Sequence, residues 1–414
     1  MNLQDLKNTT ILLLGKSRAF SEDEFFSQLK FHNISIAQET GDDVRFIVEG
    51  RMMSPYEQNM SDAFYEEKRY EFINIDVFEK LLAQEIDNDT LLMSLKLSND
   101  KMRLKSFIQN SCIDDTLFFK LLKMYSFEGE DFFENDDNRD VSAALIGRFY
   151  ENIERNHNVQ YATTGIYHLI AQTDNEQLLE AIAQLTPALQ HPKIMKALAM
   201  HEKTPRSVHK IFLKKGDDSV KEAMAYNANL DKSIIHELIK YEDLAAVVAQ
   251  NTKLDDELFG FLSAYKTFLA ANETLSEVMQ QELFSLNEEQ VHLALAQNRG
   301  LHVSICKLLL HVKSEEIKKA LYINRATPVD ILQNAYKEGG YNEALSANSA
   351  TPQSILQELA QSQDEKILYN LAKNENTPVD ILYQLQLDSR FERAVKTNEA
   401  FGKYIQSQNI GWLV

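Results

Sequence analysis

A row of asparagines is the strongest constraint on what this chain can fold into. Asn227, Asn251, Asn272, Asn298, Asn324, Asn348, Asn374 and Asn398 follow one another at intervals of 24, 21, 26, 26, 24, 26 and 24 residues. A near-constant period in that range marks a stacked architecture, in which each unit buries its apolar face only against its neighbours. Seven residues after an asparagine stands an apolar residue such as Ile305, Ile331, Ile355 or Ile381, and four further on another, such as Leu309, Leu359 or Leu385. That spacing is one face of a helix. Seven and three residues before the asparagine the pattern recurs, as in Ile317 with Leu321 and Ile367 with Leu371. It predicts a second, shorter helical segment. The asparagine itself is expected to end that segment in the left-handed conformation and to bond the turn with its side chain.

Thr327-Pro328-Val329-Asp330, Thr351-Pro352-Gln353-Ser354 and Thr377-Pro378-Val379-Asp380 read as helix starts. Threonine is the expected N-cap, and proline suits the first helical position, where no N–H is needed. Thr204-Pro205 opens an earlier unit in the same way, with His201 in the asparagine place. The frame Asn324-Arg-Ala-Thr327-Pro328-Val-Asp-Ile331-Leu332, repeated from Asn348 and Asn374, resembles the leucine-rich repeat variant family of bacterial α-solenoids. The resemblance is clearest over 199–401. It implies a superhelix in which a short, often 3₁₀-like helix alternates with an α-helix. Some members carry a cysteine-ligated iron–sulfur cluster; with only Cys112 and Cys306 here, that feature does not carry over. Helix pairs of HEAT type give a similar pattern and are the alternative. Asn110-Ser-Cys-Ile113-Asp114 fits the same frame, Gln84 to Leu95 fits it loosely, and 135–190 shows helical periodicity without a clean repeat.

The first eighty residues differ. Thr10–Leu14, Ile34–Ala37, Val44–Val48 and Glu71–Ile75 read as strands, with a Gly41-Asp42 turn between the second and third. Helices are expected from Ser21 to Lys30, capped by Ser21 with Glu24 at the capping-box distance, from Ser54-Pro55 to about Lys68, and from an Asp76 cap through Leu82. The order β-α-β-β-α-β-α resembles the BRCT domain, with Val44–Val48 as its third strand and Phe72–Leu82 as its final strand and helix. The family's double glycine after the first helix is replaced by His32-Asn33, and its last-helix tryptophan by Phe78. Phosphate-binding members place Ser or Thr before the glycine that follows the first strand, and Lys in the second helix. Leu14 and Asn59 stand there, which puts phosphopeptide binding in doubt. A flavodoxin-like or receiver-like fragment is the competing reading.

The expected architecture is therefore mostly α: a right-handed α-solenoid of ~24–26-residue helical repeats over 83–414, preceded by a small α/β domain over 1–82. Two distant cysteines give no disulfide framework and point to a reducing compartment. Met1–Asn8 lacks the basic and apolar runs of a signal peptide, and no apolar stretch approaches membrane-spanning length, so a cytoplasmic protein with no membrane partner is expected. A net charge of −19 disfavours nucleic acid and anionic lipid as main partners. Lys210, Lys214, Lys215 and Lys221 form a local basic run, whose ordinary reading is a solvated helix end. Phe132-Phe133, inside the acidic stretch 128–137, reads either as a docking motif or as the anchor of a loop.

Chemistry is sparse. Gly15-Lys16-Ser17 follows a strand as a phosphate-binding loop would, but Thr10 stands where the first glycine is needed. His191, His201 and His209 lack metal-ligand spacing, Cys306 falls at a core position, and Cys112 sits in a turn. No catalytic, cofactor-binding or metal residue is assigned. The expected function is a non-enzymatic protein–protein interaction scaffold, using a solenoid face and the α/β head toward partners of unknown identity. The alternative is a nucleotide- or ligand-responsive regulator or enzyme acting through the head near Gly15-Lys16-Ser17. Nucleic-acid binding in a solenoid groove is a weaker third.

Overall fold

The computed structural model describes residues 2–150 and 163–407. It is mostly helical, with twenty-eight α-helices among the described residues and one small parallel sheet near the N-terminus. The end segments of the expected solenoid, 408–414, and the stretch 151–162 lie outside the described residues. The chain divides into two compact units, Met1–Val220 and Lys221–Val414.

The first unit begins with the α/β head. Its elements are β1 (Thr10–Leu14), α1 (Glu22–Phe31), β2 (Ser35–Ala37), β3 (Val44–Glu49), α2 (Pro55–Glu67), β4 (Glu71–Asn74) and α3 (Ile75–Gln84). The strands lie in the order β2-β1-β3-β4, all parallel. Parallel sheets are covered on both faces, which is why β1 and β3 read as continuous apolar runs. Phe64 of α2 packs with Leu12, Leu14, Val44 and Ile47 on one face. Val44 and Ile47, three residues apart, share that face because the β1–β3 register shifts between Thr10 and Ile11. Ile11, Phe46 and Val48 are buried too, and Phe25 of α1 meets Phe78 of α3 edge-on at 5.9 Å.

Two expected caps are corrected. Ser21 precedes α1 but makes no side-chain capping bond, and the reciprocal bond of a capping box is absent too, because the Glu24 carboxylate is drawn away to the Arg103 guanidinium, 3.0 Å from its Nε, and to Gln28. That nearly buried ion pair fastens the head to the helix Lys101–Gln109. At α3 the cap is Asn74, whose side chain accepts from the Asp76 N–H, since β4 runs into α3 without a loop. Asp76 instead pairs with Arg51 and Arg18. The box at Ser54 and Glu57 forms in full.

Beyond the head all described elements are helical. In the second unit the turn asparagines do more than end a helix. Asn324 Oδ1 accepts from the Ala326 N–H, closing its own turn, while Nδ2 donates to the carbonyls of Ala296 and Asn298, both at 2.7–2.8 Å. Asn348 does the same to Tyr322 and Asn324, Asn374 to Ser346 and Asn348, and Asn398 to Ala372 and Asn374. Asn298 reaches Ala270 and Asn272. The result is a ladder in which each amide binds the previous turn. Ala296, Tyr322, Ser346 and Ala372 lie in the last turns of their helices, so these bonds also satisfy orphan carbonyls.

The ladder revises several expectations. Asn298, Asn324, Asn348 and Asn374 have extended backbones, with φ between −67° and −85°, rather than left-handed ones. Their side chains, not their backbone freedom, select them. Asn251 is not a rung: it lies inside the helix Glu242–Asn251 and bonds its own Val247 carbonyl. Buried Thr252 takes the turn, 25 residues after Asn227 and only 20 before Asn272, and Asn272 Nδ2 donates to the carbonyls of Thr252 and Ala249. The threonines of the Thr-Pro pairs do not cap the following helix. Thr327, Thr351 and Thr377 donate their hydroxyls backward to the carbonyls of Leu321, Leu345 and Leu371, and Thr204 does so to Leu198. Each is buried, and each proline precedes the helix with φ near −55° to −66°. The segments before Asn324 and Asn374 are nine-residue α-helices, neither short nor 3₁₀.

Asn348→Ala removes two donors from the buried residues Tyr322 and Asn324 and one acceptor from half-buried Ala350, and should cost about 2–4 kcal/mol, at roughly 1 kcal/mol or more for each stranded group. Asn251→Ala, outside the ladder, should cost less than about 1 kcal/mol. Urea unfolding of both variants checks the contrast; equal shifts would remove the ladder's energetic role.

Candidate functional site

In an open parallel sheet, ligands enter the crevice beyond the strand ends where the connections diverge. Here β1 leads to β2 on one side and β3 to β4 on the other, so the crevice lies between Gly15-Lys16-Ser17 and Gly50-Arg51-Met52. The structure closes it with backbone bonds. Gly50 N–H donates to Leu14, Lys16 N–H to Arg51, and Arg51 N–H back to Lys16. The Gly15 N–H points at the Glu57 carboxylate, 2.9 Å from Oε1. A negative group of the protein already holds the amide that a phosphate would need. Gly15 has φ +83°, and a Cβ there would lie 2.6 Å from the Arg51 carbonyl oxygen, so glycine is required by this closure rather than by a ligand. Behind the same loop Glu79, fully buried on α3, accepts from the N–H groups of Arg18, Ala19 and Phe20.

The other sequence candidates resolve into structural roles. Phe132 is fully buried against Phe127, and Ser142 donates to its carbonyl. Buried Asn138 pins the acidic stretch through the Glu128 and Asp131 carbonyls, so Phe132 anchors the loop, while Phe133 is half-buried. His201 stands in an asparagine place and closes its own turn as the asparagines do: its Nδ1 accepts from the Lys203 N–H at 3.2 Å. His209 is buried on the helix Arg206–Lys215, and His191 precedes the helix Pro192–Met200. Among the described residues no three His, Cys, Asp or Glu side chains come together as a metal site. Burial raises the thiol pKa of both Cys306 and the half-buried Cys112, which keeps them protonated and weakly nucleophilic.

The open surface of the first unit lies elsewhere. The helices Asp115–Met124, Glu176–Gln184 and Arg206–Lys215 pack side by side in that order. A concavity of about 540 Å³ runs between the first two, and one of about 290 Å³ between the second and third; they share Gln184. Lys120 and Lys123 edge the first, and Lys210, Lys214 and Lys215 the second. Three of the four lysines in the sequence's basic run are thus gathered with two from much earlier in the chain, a meeting that only packing reveals. Lys221, the fourth, sits over the Tyr241 ring in the second unit.

No protein-family model, no curated protein and no solved structure matches this chain.

The closed crevice carries its own pH signature. Hydrogen bonds from the Ser54 and Gly15 N–H groups hold the Glu57 carboxyl below its ordinary range. A depressed carboxylate stabilises the folded form above its unfolded pKa of about 4.3, and that contribution is lost as the pH falls through the folded value. Between about pH 6 and about pH 3 the wild-type head should lose amide-exchange protection in β1 more steeply than Glu57→Gln, which starts lower at neutral pH. Parallel curves would show that the Gly15–Glu57 contact contributes nothing.

Proposed function

We propose that this protein is a non-enzymatic protein–protein interaction scaffold. The observation that supports this most directly is the asparagine ladder. It commits the buried side chains of Asn324, Asn348, Asn374 and Asn398 to holding successive turns together, which leaves recognition to the outer helix faces. Exposed large apolar side chains are spread along both units, among them Met93, Leu97, Phe261, Val278 and Ile323.

The frame of Asn, Thr-Pro and paired apolar residues supports membership of the leucine-rich repeat variant solenoids, right-handed and with a unit of ~24–26 residues. The α-helical form of the segments before Asn324 and Asn374 favours the HEAT-like alternative at those positions. The head's element order supports a BRCT-like reading, with the phosphate-binding function lost to Glu57. Among the described residues no helix is long and apolar enough to cross a membrane, and a cytoplasmic location is part of the proposal. The nucleotide-responsive reading has against it the backbone bonds that seal Gly15-Lys16-Ser17.

The test uses the intact chain. Immobilised in native extract, it should retain a protein partner in stoichiometric amount through a wash at about physiological salt. Nucleotides at about 1 mM should leave its melting temperature unchanged, because binding to the native state raises stability by linkage. Stabilisation by a nucleotide, with no retained partner, would replace the scaffold with a ligand-responsive regulator.

A further inference from the structure

Five lysines gather around the first unit's two concavities. Some lysines elsewhere are held by carboxylates. Lys105 meets Asp137 and Asp140, Lys232 meets Asp255 and Glu257, and Lys266 meets Glu288. Lys123, Lys210, Lys214 and Lys215 form no ion pair among the described residues, although all are exposed. Lys120 makes only a loose contact with Asp89, at 3.9 Å. The helix dipole accounts for Lys123, Lys214 and Lys215 in their last turns, but not for Lys120 and Lys210 a turn earlier.

The floor between them is mixed. Phe119 and Leu122 line the first concavity, Leu189 and Ile211 the second. Glu180 is the one carboxylate in either lining, and it is occupied by the Ser207 hydroxyl at 2.6 Å, a bond that ties the middle helix to the third. A part-apolar floor with lysines on both sides suits a helix that carries an apolar stripe and carboxylates along its flanks. Nucleic acid fits less well: the chain as a whole is at −19 and repels a polyanion, whereas a short acidic helix meets chiefly the local field within a Debye length.

We propose that the groove across the helices Asp115–Met124, Glu176–Gln184 and Arg206–Lys215 is the docking site for an acidic amphipathic helix of a partner protein. The proposal rests on the scaffold reading and specifies its partner class. Capture occurs by apolar burial over Gln184 and its neighbours, with the five lysines supplying orientation and salt-sensitive attraction.

A display library of random helical peptides about sixteen residues long, selected against the full chain, tests this. Enriched peptides should carry Asp or Glu beside apolar residues at i, i+3, i+4 and i+7. They should bind the triple variant Lys123→Glu, Lys210→Glu, Lys214→Glu at least about tenfold more weakly, with the Lys→Gln triple intermediate. Unchanged far-UV circular dichroism shows that both variants fold. No enrichment, enrichment without acidic bias, or equal binding by the charge-reversed chain would overturn the assignment. Tighter binding of a single-stranded oligonucleotide of about sixteen nucleotides would also overturn it, in favour of a polyanion surface. If the intact chain keeps its extract partner while the charge-reversed chain keeps it equally, the scaffold stands and the groove assignment alone falls.

Discussion

A side-chain amide reaching the backbone of the preceding turn is the interaction on which the second unit depends. Helices that end every dozen residues leave many carbonyls without an intrahelical partner, and burying them unpaired costs about 1–3 kcal/mol each. Asparagine is suited to the position because its two ends do different work. Oδ1 closes the local turn, as at Ala350 and Asn376, and Nδ2 carries two hydrogens to two carbonyls of the unit before. Aspartate lacks the donors, and glutamine would place them one methylene too far. The threonine six residues after a helix-end leucine completes the arrangement by satisfying a carbonyl within its own unit. Once these bonds are made, Ile331, Leu332, Leu345, Leu356 and Leu371 can pack as one apolar seam with almost no exposed surface.

Much of this was legible in the sequence, though for reasons that needed revision. The interval between asparagines locates the turns, and the flanking apolar residues locate the helices, because both are local consequences of period. The backbone state of the asparagines and the direction of the threonine hydroxyls are not local. Each depends on a carbonyl that belongs to another helix, so rules drawn from isolated helix termini assign Thr327 forward when the structure turns it back. Asn251 misleads for the same reason: it lies one residue from the turn, and only the bond from Asn272 to the Thr252 carbonyl shows which of the two is the rung. In the head, Glu24 was expected to cap its own helix and is claimed by Arg103, far along the chain.

The candidate surface was half legible. Lys210, Lys214 and Lys215 form a visible run, but Lys120 and Lys123 carry no signal on their own. The two groups meet because Glu176–Gln184 lies between their helices, a fact of stacking rather than of composition. Conversely, the Gly-Lys-Ser loop was visible as a motif, and only the folded structure shows that Glu57 and Arg51 take the amides of Gly15 and Lys16.

Thr252 is a different kind of joint. Its hydroxyl is buried without a hydrogen-bond partner, and it offers no side-chain amide to the turn before it; a backbone bond from the Lys253 N–H to the Ala228 carbonyl and the exposed pairs of Lys232 with Asp255 and Glu257 span that junction instead. Links arranged in series share a load equally, so the weakest yields first. Under tension along the second unit, extension should begin at this turn, and the segments on either side would remain folded while it opens.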